Sequence, residues 1–161
     1  MTVDVEQSSR LPAPAPAVWE RAITEEGIND ELRPWLRMTM PAALRGKTID
    51  DVEVGEPLGR SWILLGGVLP VDYDDLCLVE LEPGRRFRER STMLSMRVWQ
   101  HERVVEPLDD GGCEITDRLA FELRRPARWA PGSHRLARAI VGSLFRHRHR
   151  RLVRWASAAE A

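Results

Sequence analysis

The sequence has few of the features that mark membrane-spanning, secreted or disulfide-linked proteins. Its 161 residues include one lysine, one tyrosine and two cysteines. No run of about eighteen apolar residues occurs, which argues against a membrane-spanning helix, and residues 1–10 lack the apolar core of a signal peptide. Cys77 and Cys113 both lie in apolar, strand-like runs. We therefore expect a cytoplasmic protein whose two thiols are reduced and act as small apolar side chains.

Composition indicates one globular domain over residues 1–161, with 43% apolar and 30% charged residues and no internal repeat or linker. The net charge of −1 hides an asymmetry, because residues 1–123 carry 14 basic and 24 acidic groups whereas residues 124–161 carry ten and one. Such a basic segment is typical of nucleic-acid or anionic-membrane binding. Packing of that segment on an acidic body explains the asymmetry within the molecule. We prefer this internal interpretation and expect no nucleic-acid partner.

Periodicity predicts a strand, two short helices, six strands and one long helix. Residues 3–8 alternate as in a strand, and Pro12, Pro14 and Pro16 end it and can open a helix. Two helical stripes follow, Val18, Trp19, Ala22, Ile23 and then Ile28, Leu32, Trp35, Leu36. A period of two then predicts an antiparallel meander of strands at 48–54, 60–66, 75–82, 86–94, 97–106 and 113–123. With Ser133 as N-cap, a final helix of about 25 residues spans about 37 Å.

This order of elements resembles the START-like superfamily, also called helix-grip, birch-pollen-allergen-like or SRPBCC, which includes polyketide cyclase/dehydrase-type proteins. The local carriers of the resemblance are LPAPAPAVWERAI, FRERSTM, WQHERVVEP, CEITDRLAFEL and the terminal helix. The resemblance implies an α+β helix-grip fold, with a curved antiparallel sheet of about seven strands around the C-terminal helix. It also implies a pocket between sheet and helix that commonly holds lipids, sterols or polycyclic compounds.

Turn chemistry predicts which residues of the last two strands face each other. A three-residue hairpin loop at Asp109-Asp110-Gly111 places glycine where positive φ is needed. It pairs Leu108 with Gly112, Val105 with Ile115, Arg103 with Asp117, His101 with Leu119 and Trp99 with Phe121. Glu102 then faces Arg118 on the opposite side, whereas a one-residue slip would set Arg103 against Arg118. Opposite charges across strands are favoured over like charges, so we predict the first register.

The Pro83-Gly84 turn extends the same argument to the preceding strands. It pairs Glu82 with Arg86 and Glu80 with Arg88 on the outside, which leaves an inner row of Cys77, Val79, Leu81, Phe87, Glu89, Ser91 and Met93. Five polar side chains then face an apolar interior: Glu89, Ser91, His101, Arg103 and Asp117. Arg103 and Asp117 form an internal salt bridge in this interpretation. Glu89 and His101 meet each other, a ligand or water, because a buried charge needs a partner.

Other sequence features carry weaker signals. His147 and His149 are two residues apart on a helix and point about 200° from each other, so we predict no metal site. The run of Arg146, Arg148, Arg150 and Arg151 is interpreted as a solvated or acid-pairing face. Residues 72–75 are predicted to form an exposed acidic loop rather than a calcium loop, with Tyr73 and Trp35 as candidates for the cavity mouth. A triad of Ser91, His101 and Asp117 is disfavoured because no nucleophile-elbow motif surrounds the serine.

Three functions remain open. The first is non-catalytic binding of a hydrophobic or amphipathic small molecule, without a cofactor. Its pocket would have an apolar wall and a polar end at Glu89, His101 and Arg103; the wall is predicted to comprise Trp62, Phe87, Trp99, Leu119 and Phe121. The second is a cyclase or dehydratase in which His101 or Glu89 is the general base and Arg103 stabilises an enolate. The third is an interaction module whose arginine-rich last helix meets an acidic partner. In a further alternative, large side chains such as Trp99 and Phe121 fill the interior, and the protein has a core and no pocket. Ligand and oligomeric state stay open.

Overall fold

The computed structural model describes residues 1–159 and has an α+β architecture in which one antiparallel sheet packs against helices. Seven strands and three α-helices occur in these residues, together with three 3-10 turns at Ala42–Leu44, Ile49–Asp51 and Ala127–Trp129. In chain order the strands and helices are β1 Val3–Leu11, α1 Ala15–Ala22, α2 Glu25–Leu32, β2 Leu36–Met38, β3 Pro57–Leu65, β4 Leu69–Glu82, β5 Arg86–Met93, β6 Met96–Pro107, β7 Cys113–Leu123 and α3 Ser133–Ala159. The sheet order is β1-β7-β6-β5-β4-β3-β2.

The two short helices form as the sequence predicts, but the second ends early. Thr24 caps α2 by accepting a hydrogen bond from the backbone N–H of Gly27 at 3.1 Å. The helix stops at Leu32, because Arg33 is extended and Pro34 cannot continue the hydrogen-bond ladder. Trp35 therefore lies beyond α2 and is 62% exposed, and its predicted place on a helical stripe is wrong.

Two predicted boundaries in the sheet are also wrong. The segment 48–54 contains the 3-10 turn Ile49–Asp51, held by a capping box in which the Asp51 carboxylate accepts from the Thr48 backbone N–H at 2.8 Å. Strand β2 completes the sheet in its place. The acidic segment 72–75 is not a loop, because β4 already begins at Leu69. The turn before it uses Gly66 and Gly67, at φ of +60° and +81°.

The predicted pairing of β6 with β7 is confirmed at every pair, including Arg103 with Asp117 and Glu102 with Arg118. The β4–β5 hairpin is confirmed near its turn. A β-bulge between Leu78 and Glu80 then reverses which side chains of β4 face inward. Leu76 and Leu78 are buried and Cys77 and Val79 are only half-buried, so the predicted inner positions of Cys77 and Val79 are wrong.

The long helix α3 has 27 residues, which corresponds to about 40 Å. Its buried face combines apolar and polar side chains: Val141, Phe145, Arg148, His149, Leu152 and Ala156. None of the helices in residues 1–159 combines the length and apolarity that a bilayer-crossing segment needs. Two clusters form the core, one around Trp19, Phe87 and Leu152 and the other around Trp99, Phe121 and Phe145. The sheet and α3 contribute to both clusters.

Candidate functional site

Arg103 lies at the centre of a buried group of charges and is 1% exposed. It donates to Asp117 from Nε and Nη2, both at 2.8 Å. It also donates to Glu31 of α2, from Nη1 at 2.8 Å and from Nη2 at 2.9 Å. The predicted salt bridge with Asp117 is therefore present, and Glu31 is a second carboxylate partner that sequence reasoning missed. All three nitrogens of the guanidinium group are engaged.

Helix α3 adds two side chains to this group. Arg148 Nε donates to Glu31 Oε2 at 2.9 Å. His149 Nε2 lies 2.9 Å from Asp117 Oδ2, and its Nδ1 lies 2.9 Å from Ser9 Oγ. We call Glu31, Arg103, Asp117, Arg148 and His149 the charge network. It connects α2 and α3 to the middle of the sheet through buried hydrogen bonds.

The charge network keeps its carboxylates ionised. Burial raises the pKa of Asp117, but the Arg103 guanidinium outweighs burial, and the net pKa lies well below its ordinary value. Burial likewise raises the pKa of Glu31, and Arg103 and Arg148 reverse this to a net decrease. Burial lowers the pKa of Arg103 while Asp117 and Glu31 raise it well above its ordinary value. Two positive and two negative side chains thus compensate each other.

His101 extends the charge network toward β5. Its Nε2 lies 2.8 Å from Asp117 Oδ1, and its Nδ1 lies 3.6 Å from Glu89 Oε1. Trp99 Nε1 donates to the same Glu89 oxygen at 2.8 Å. Burial lowers the pKa of His101, but the Asp117 carboxylate outweighs it and the net pKa is raised. Of the open alternatives, Glu89 and His101 meet each other.

A second polar group lies on β3, β4 and β5, and we call it the oxygen cluster: Ser61, Asp74 and Ser91. These residues are 0%, 3% and 6% exposed. Ser61 faces Asp74 across β3–β4, and Asp74 faces Met93, two residues from Ser91 on the same face of β5. Within residues 1–159, Ser61 Oγ, Asp74 Oδ1 and Ser91 Oγ have no hydrogen-bond partner. Ser91 is near enough to affect the Asp74 carboxyl, but no hydrogen bond of acceptable geometry joins them.

Asp74 has an unusual charge state for a carboxyl group. Burial raises its pKa to about 8, and the nearby Glu89 carboxylate adds to the increase. No ion pair compensates it among the described residues. Asp74 is therefore protonated at neutral pH and can donate a hydrogen bond as well as accept one.

Aromatic side chains separate the sheet from α3 beside these polar groups. Phe145 of α3 lies 6.4 Å from Trp99 and 5.2 Å from His101, measured between ring centroids. Phe87 lies 5.4 Å from His101, and Trp99 lies 6.0 Å from Phe121. The predicted inward positions of these rings and of Leu119 agree with their burial. These rings pack against one another between the sheet and α3.

Three predicted ligand-binding residues lie elsewhere, and their assignment is corrected. Because Ser61 and Asp74 face inward, the adjacent Trp62 and Tyr73 face outward, where their rings pack edge to face at 5.9 Å. Arg60 lies 3.8 Å above the Tyr73 ring. Trp35 is exposed at one end of the sheet. None of the three contacts the charge network or the oxygen cluster.

Some of the missed residues had a detectable signal. Arg148 and His149 lie three and four residues after Phe145 and four and three before Leu152. Both of these apolar side chains are buried, so helical spacing places the two polar residues on the same face. The acidic residues beside Asp74 indicated an exposed loop, so the sequence did not predict its buried position. Among residues 1–159, no group of three or more histidine, cysteine or acidic side chains has a metal-binding arrangement. Both thiols are free, and burial raises the pKa of Cys113 to about 11.

Comparisons with known proteins agree with this architecture. A family model described as a domain of unknown function, DUF8410, matches residues 9–156. No curated protein matches the sequence. Solved structures that resemble the chain include the Zhui aromatase/cyclase from Streptomyces sp. R1128, with a TM-score of 0.71, 16% identity and coverage of 100% of this chain and 97% of the other.

Two further structures have similar scores. A START superfamily protein from Mycobacterium smegmatis has a TM-score of 0.68 and 11% identity, covering 97% of this chain and 98% of the other. Protein CV1439 from Chromobacterium violaceum has a TM-score of 0.70 and 14% identity, covering 96% and 97%. At these identities the likeness establishes the fold, and the chain has the helix-grip fold of START-like proteins.

Proposed function

The chain belongs to the DUF8410 family, and from that premise we propose that it binds a hydrophobic or amphipathic small molecule between the sheet and α3. The polar end of this molecule contacts the oxygen cluster, and its apolar part lies against the aromatic side chains around Trp99. Binding is non-catalytic in this proposal. The START superfamily and aromatase/cyclase neighbours support it, because they share the fold.

The observation that carries the proposal is the set of buried oxygens without partners on three adjacent strands. Leaving a buried polar atom without a hydrogen bond costs about 1–3 kcal/mol. Ser61, Asp74 and Ser91 each contribute such an atom within residues 1–159. A ligand group that hydrogen-bonds to them removes this cost at the moment of binding. Arg103, in contrast, already gives four of its five N–H groups to Glu31 and Asp117, so we move the polar end of the site from Arg103 to the oxygen cluster.

The oxygen cluster selects a neutral ligand group that both donates and accepts hydrogen bonds. Asp74 is uncharged at neutral pH because of its raised pKa of about 8, and the two serine hydroxyls donate or accept. The Glu89 carboxylate nearby disfavours an anionic group. A hydroxyl group meets these conditions, so we propose an alcohol or a phenol on an apolar skeleton.

Mass spectrometry of the purified protein under native conditions is the first test, because it would reveal a co-purified compound. Titration calorimetry with 1-naphthol and naphthalene then measures how much the hydroxyl group contributes to the affinity, because the two compounds differ only in that group. We expect 1-naphthol to bind about tenfold more tightly, the equivalent of one or two hydrogen bonds. In a Ser61→Ala/Ser91→Ala variant this preference should disappear while naphthalene binding is retained.

The matched control is Ser8→Ala. Its hydroxyl pairs with Thr116 Oγ1 at 2.8 Å on the outer face of the sheet, so the preference for 1-naphthol should be unchanged. Equal affinity of the wild-type protein for both compounds would refute the assignment of the oxygen cluster. Failure of both compounds to bind, with no co-purified molecule, would refute interior binding itself.

A second candidate function is a cyclase or dehydratase, and the protonated Asp74 favours it. In this alternative Asp74 gives its proton to a β-hydroxyl group as the C–O bond breaks, and its carboxylate then takes the proton of the neighbouring carbon, so that a C=C bond and one molecule of water form. His101 Nε2 is engaged by the Asp117 carboxylate, and Arg103 is occupied by two carboxylates. The roles first predicted for these two residues therefore receive no support from the geometry.

Turnover of a linear poly-β-ketone by the purified protein separates the two functions. If the enzyme alternative holds, Asp74→Asn should abolish product formation while 1-naphthol binding persists. Absence of turnover in the wild-type protein, with 1-naphthol still bound, supports the non-catalytic proposal.

A further inference from the structure

Large apolar side chains are exposed together at one end of the sheet, where β2, β4 and β6 begin. They are between 44% and 82% exposed. We call this surface the apolar rim: Trp35, Leu65, Val68, Leu69, Val71, Leu94, Trp129, Leu136 and Ile140. Patches of this kind on a monomer mark interaction sites rather than ordinary surface.

Hydrogen bonds show that these segments lie at the same end. Gly66 N donates to Trp35 O at 2.8 Å, which joins the lead-in to β2 to the β3–β4 turn. Leu94 N donates to Asp72 Oδ1 at 2.8 Å, which joins the β5–β6 turn to β4. Arg124 N donates to Ser95 O at 3.0 Å, and residues 124–132 then lead into α3.

Exposed arginines are interspersed with the apolar rim. In the sequence, Arg33 and Arg37 flank Trp35, Arg125 and Arg128 precede Trp129, and Arg135 lies in the first turn of α3. The guanidinium groups of Arg125 and Arg128 lie 4.9 and 5.5 Å from the Trp129 ring. Within residues 1–159 none of these five arginines has a carboxylate within 4.0 Å, since the recorded ion pairs involve other side chains.

Internal pairing explains only a small part of the basic C-terminal segment. Among residues 124–159, Arg148 pairs with Glu31 and Arg151 with Asp30, and no other arginine of this segment pairs with a carboxylate in the described part of the chain. The preference for a purely internal explanation of the charge asymmetry is therefore corrected. The remaining positive charge at the apolar rim is available to an external partner.

We infer that the apolar rim is a docking surface for an anionic lipid bilayer, with aromatic and aliphatic side chains entering the interface and arginines contacting lipid headgroups. Tryptophan and arginine are the side chains that favour the boundary between headgroups and acyl chains. Basic residues near an anionic leaflet add electrostatic attraction. The inference goes beyond the interior site and does not depend on it.

Charge distinguishes a bilayer from the other possible occupants. A second copy of the chain would bring like-charged arginines together, which opposes self-association through this face. A nucleic acid would engage the arginines but leave the aliphatic side chains in water. An anionic bilayer satisfies both kinds of side chain at once.

Flotation of the purified protein with vesicles tests the inference. We expect binding to vesicles of phosphatidylcholine and phosphatidylglycerol, weak binding to phosphatidylcholine alone, and a decrease with added salt. Trp129→Ser/Leu136→Ser should lower the affinity at least about tenfold. Arg125→Gln/Arg128→Gln/Arg135→Gln should lower it by about tenfold or more and weaken the salt dependence, to which Arg33 and Arg37 still contribute. All five side chains are largely outside the core, so circular dichroism should show unchanged folding.

Matched controls lie at the opposite end of the molecule. Val54 is 47% exposed, and Arg45 follows the 3-10 turn that packs on the start of β3. Val54→Ser and Arg45→Gln should bind vesicles like the wild-type protein. No binding of the wild-type protein to anionic vesicles, or equal effects of control and rim variants, would overturn the inference. Concentration-dependent dimers abolished by Trp129→Ser/Leu136→Ser, without vesicle binding, would assign the surface to a second copy instead.

Discussion

The charge network and the oxygen cluster are two buried polar groups on the same face of one sheet, and they reach opposite charge states. In the charge network, Glu31 and Asp117 are ionised because Arg103 and Arg148 compensate them. In the oxygen cluster, Asp74 is also buried but forms no ion pair among residues 1–159. Burial, together with the Glu89 carboxylate, raises its pKa to about 8 against a smaller opposing effect of His101. The contrast shows that partners, more than burial, decide the state of a carboxyl group in this interior.

The helices produce the difference. Helix α2 supplies Glu31 and α3 supplies Arg148 and His149 to the part of the sheet formed by β6 and β7. No helical side chain in residues 1–159 hydrogen-bonds to Ser61, Asp74 or Ser91. One region is therefore a structural tie between sheet and helices, whereas the buried oxygens of the other have no hydrogen-bond partner among residues 1–159.

Arg103→Met should have the largest effect on stability. It removes the cation that compensates two buried carboxylates, and such a loss costs about 3–5 kcal/mol. Urea unfolding at neutral pH measures the change. The control is Arg118→Met on the outer face, where the arginine is half-exposed and pairs with Glu6 and Glu102; its effect should be far smaller. Equal effects of the two substitutions would mean that the charge network is not a structural tie.

Glu31→Gln should destabilise the protein at neutral pH by about 2 kcal/mol, because Arg103 and Arg148 lose a charged acceptor. The pKa of Glu31 is lowered in the folded state, so its contribution is present above the unfolded-state pKa. It is lost as pH falls through the folded-state pKa. The deficit of the variant, measured by urea unfolding, should therefore diminish in acid. A deficit that does not depend on pH would contradict the ionised state of Glu31.

Asp74→Asn should change the free energy of unfolding in the opposite direction and stabilise the protein. The pKa of Asp74 is raised in the folded state, so the wild-type protein loses stability as pH rises from about 4 to about 8. Asparagine does not titrate, and the variant should be more stable than wild type by at least about 1 kcal/mol at pH 8. The gain should vanish near pH 4. A destabilised variant at pH 8 would show that the Asp74 carboxylate has a cationic partner.

Asp75→Asn should have the smallest effect, although Asp75 is adjacent to Asp74. Its side chain faces outward and accepts from Arg60 Nε at 2.7 Å in an exposed pair. Exposed ion pairs contribute little because solvent screens them. The midpoint of urea unfolding should therefore be close to that of wild type. A change as large as that of Asp74→Asn would mean that strand position does not determine the effect.

The strand register of the last hairpin could be predicted because turn chemistry, charge pairs and aromatic pairs all agreed. The Asp109–Gly111 turn sets Arg103 opposite Asp117 and Trp99 opposite Phe121, and both pairs are present. The predicted strand at 48–54 is wrong because alternating polar and apolar residues also fit a capped 3-10 turn. The bulge near Leu78 could not be anticipated, because an extra residue in one strand leaves no local signal and reverses every inward position beyond it.

The candidate site was predictable only where it lies on one hairpin. His101, Arg103 and Asp117 follow from the register of β6 and β7. Glu31 does not, because its contact with Arg103 joins residues 72 positions apart and depends on how α2 packs on the sheet. Asp74 was placed in a loop, so its burial was not expected. The contact of Glu31 and the burial of Asp74 both depend on long-range packing, which neither the periodicity nor the composition of the sequence predicts.

Carbon-13 NMR titration of the Asp74 carboxyl group in the wild-type protein tests the central contrast most directly, with assignment from the Asp74→Asn variant. We expect the Asp74 carboxyl group to titrate with a midpoint near pH 8. A midpoint near about 4, the value of an unperturbed aspartate, would show that Asp74 is ionised and partnered and would contradict the proposed oxygen cluster.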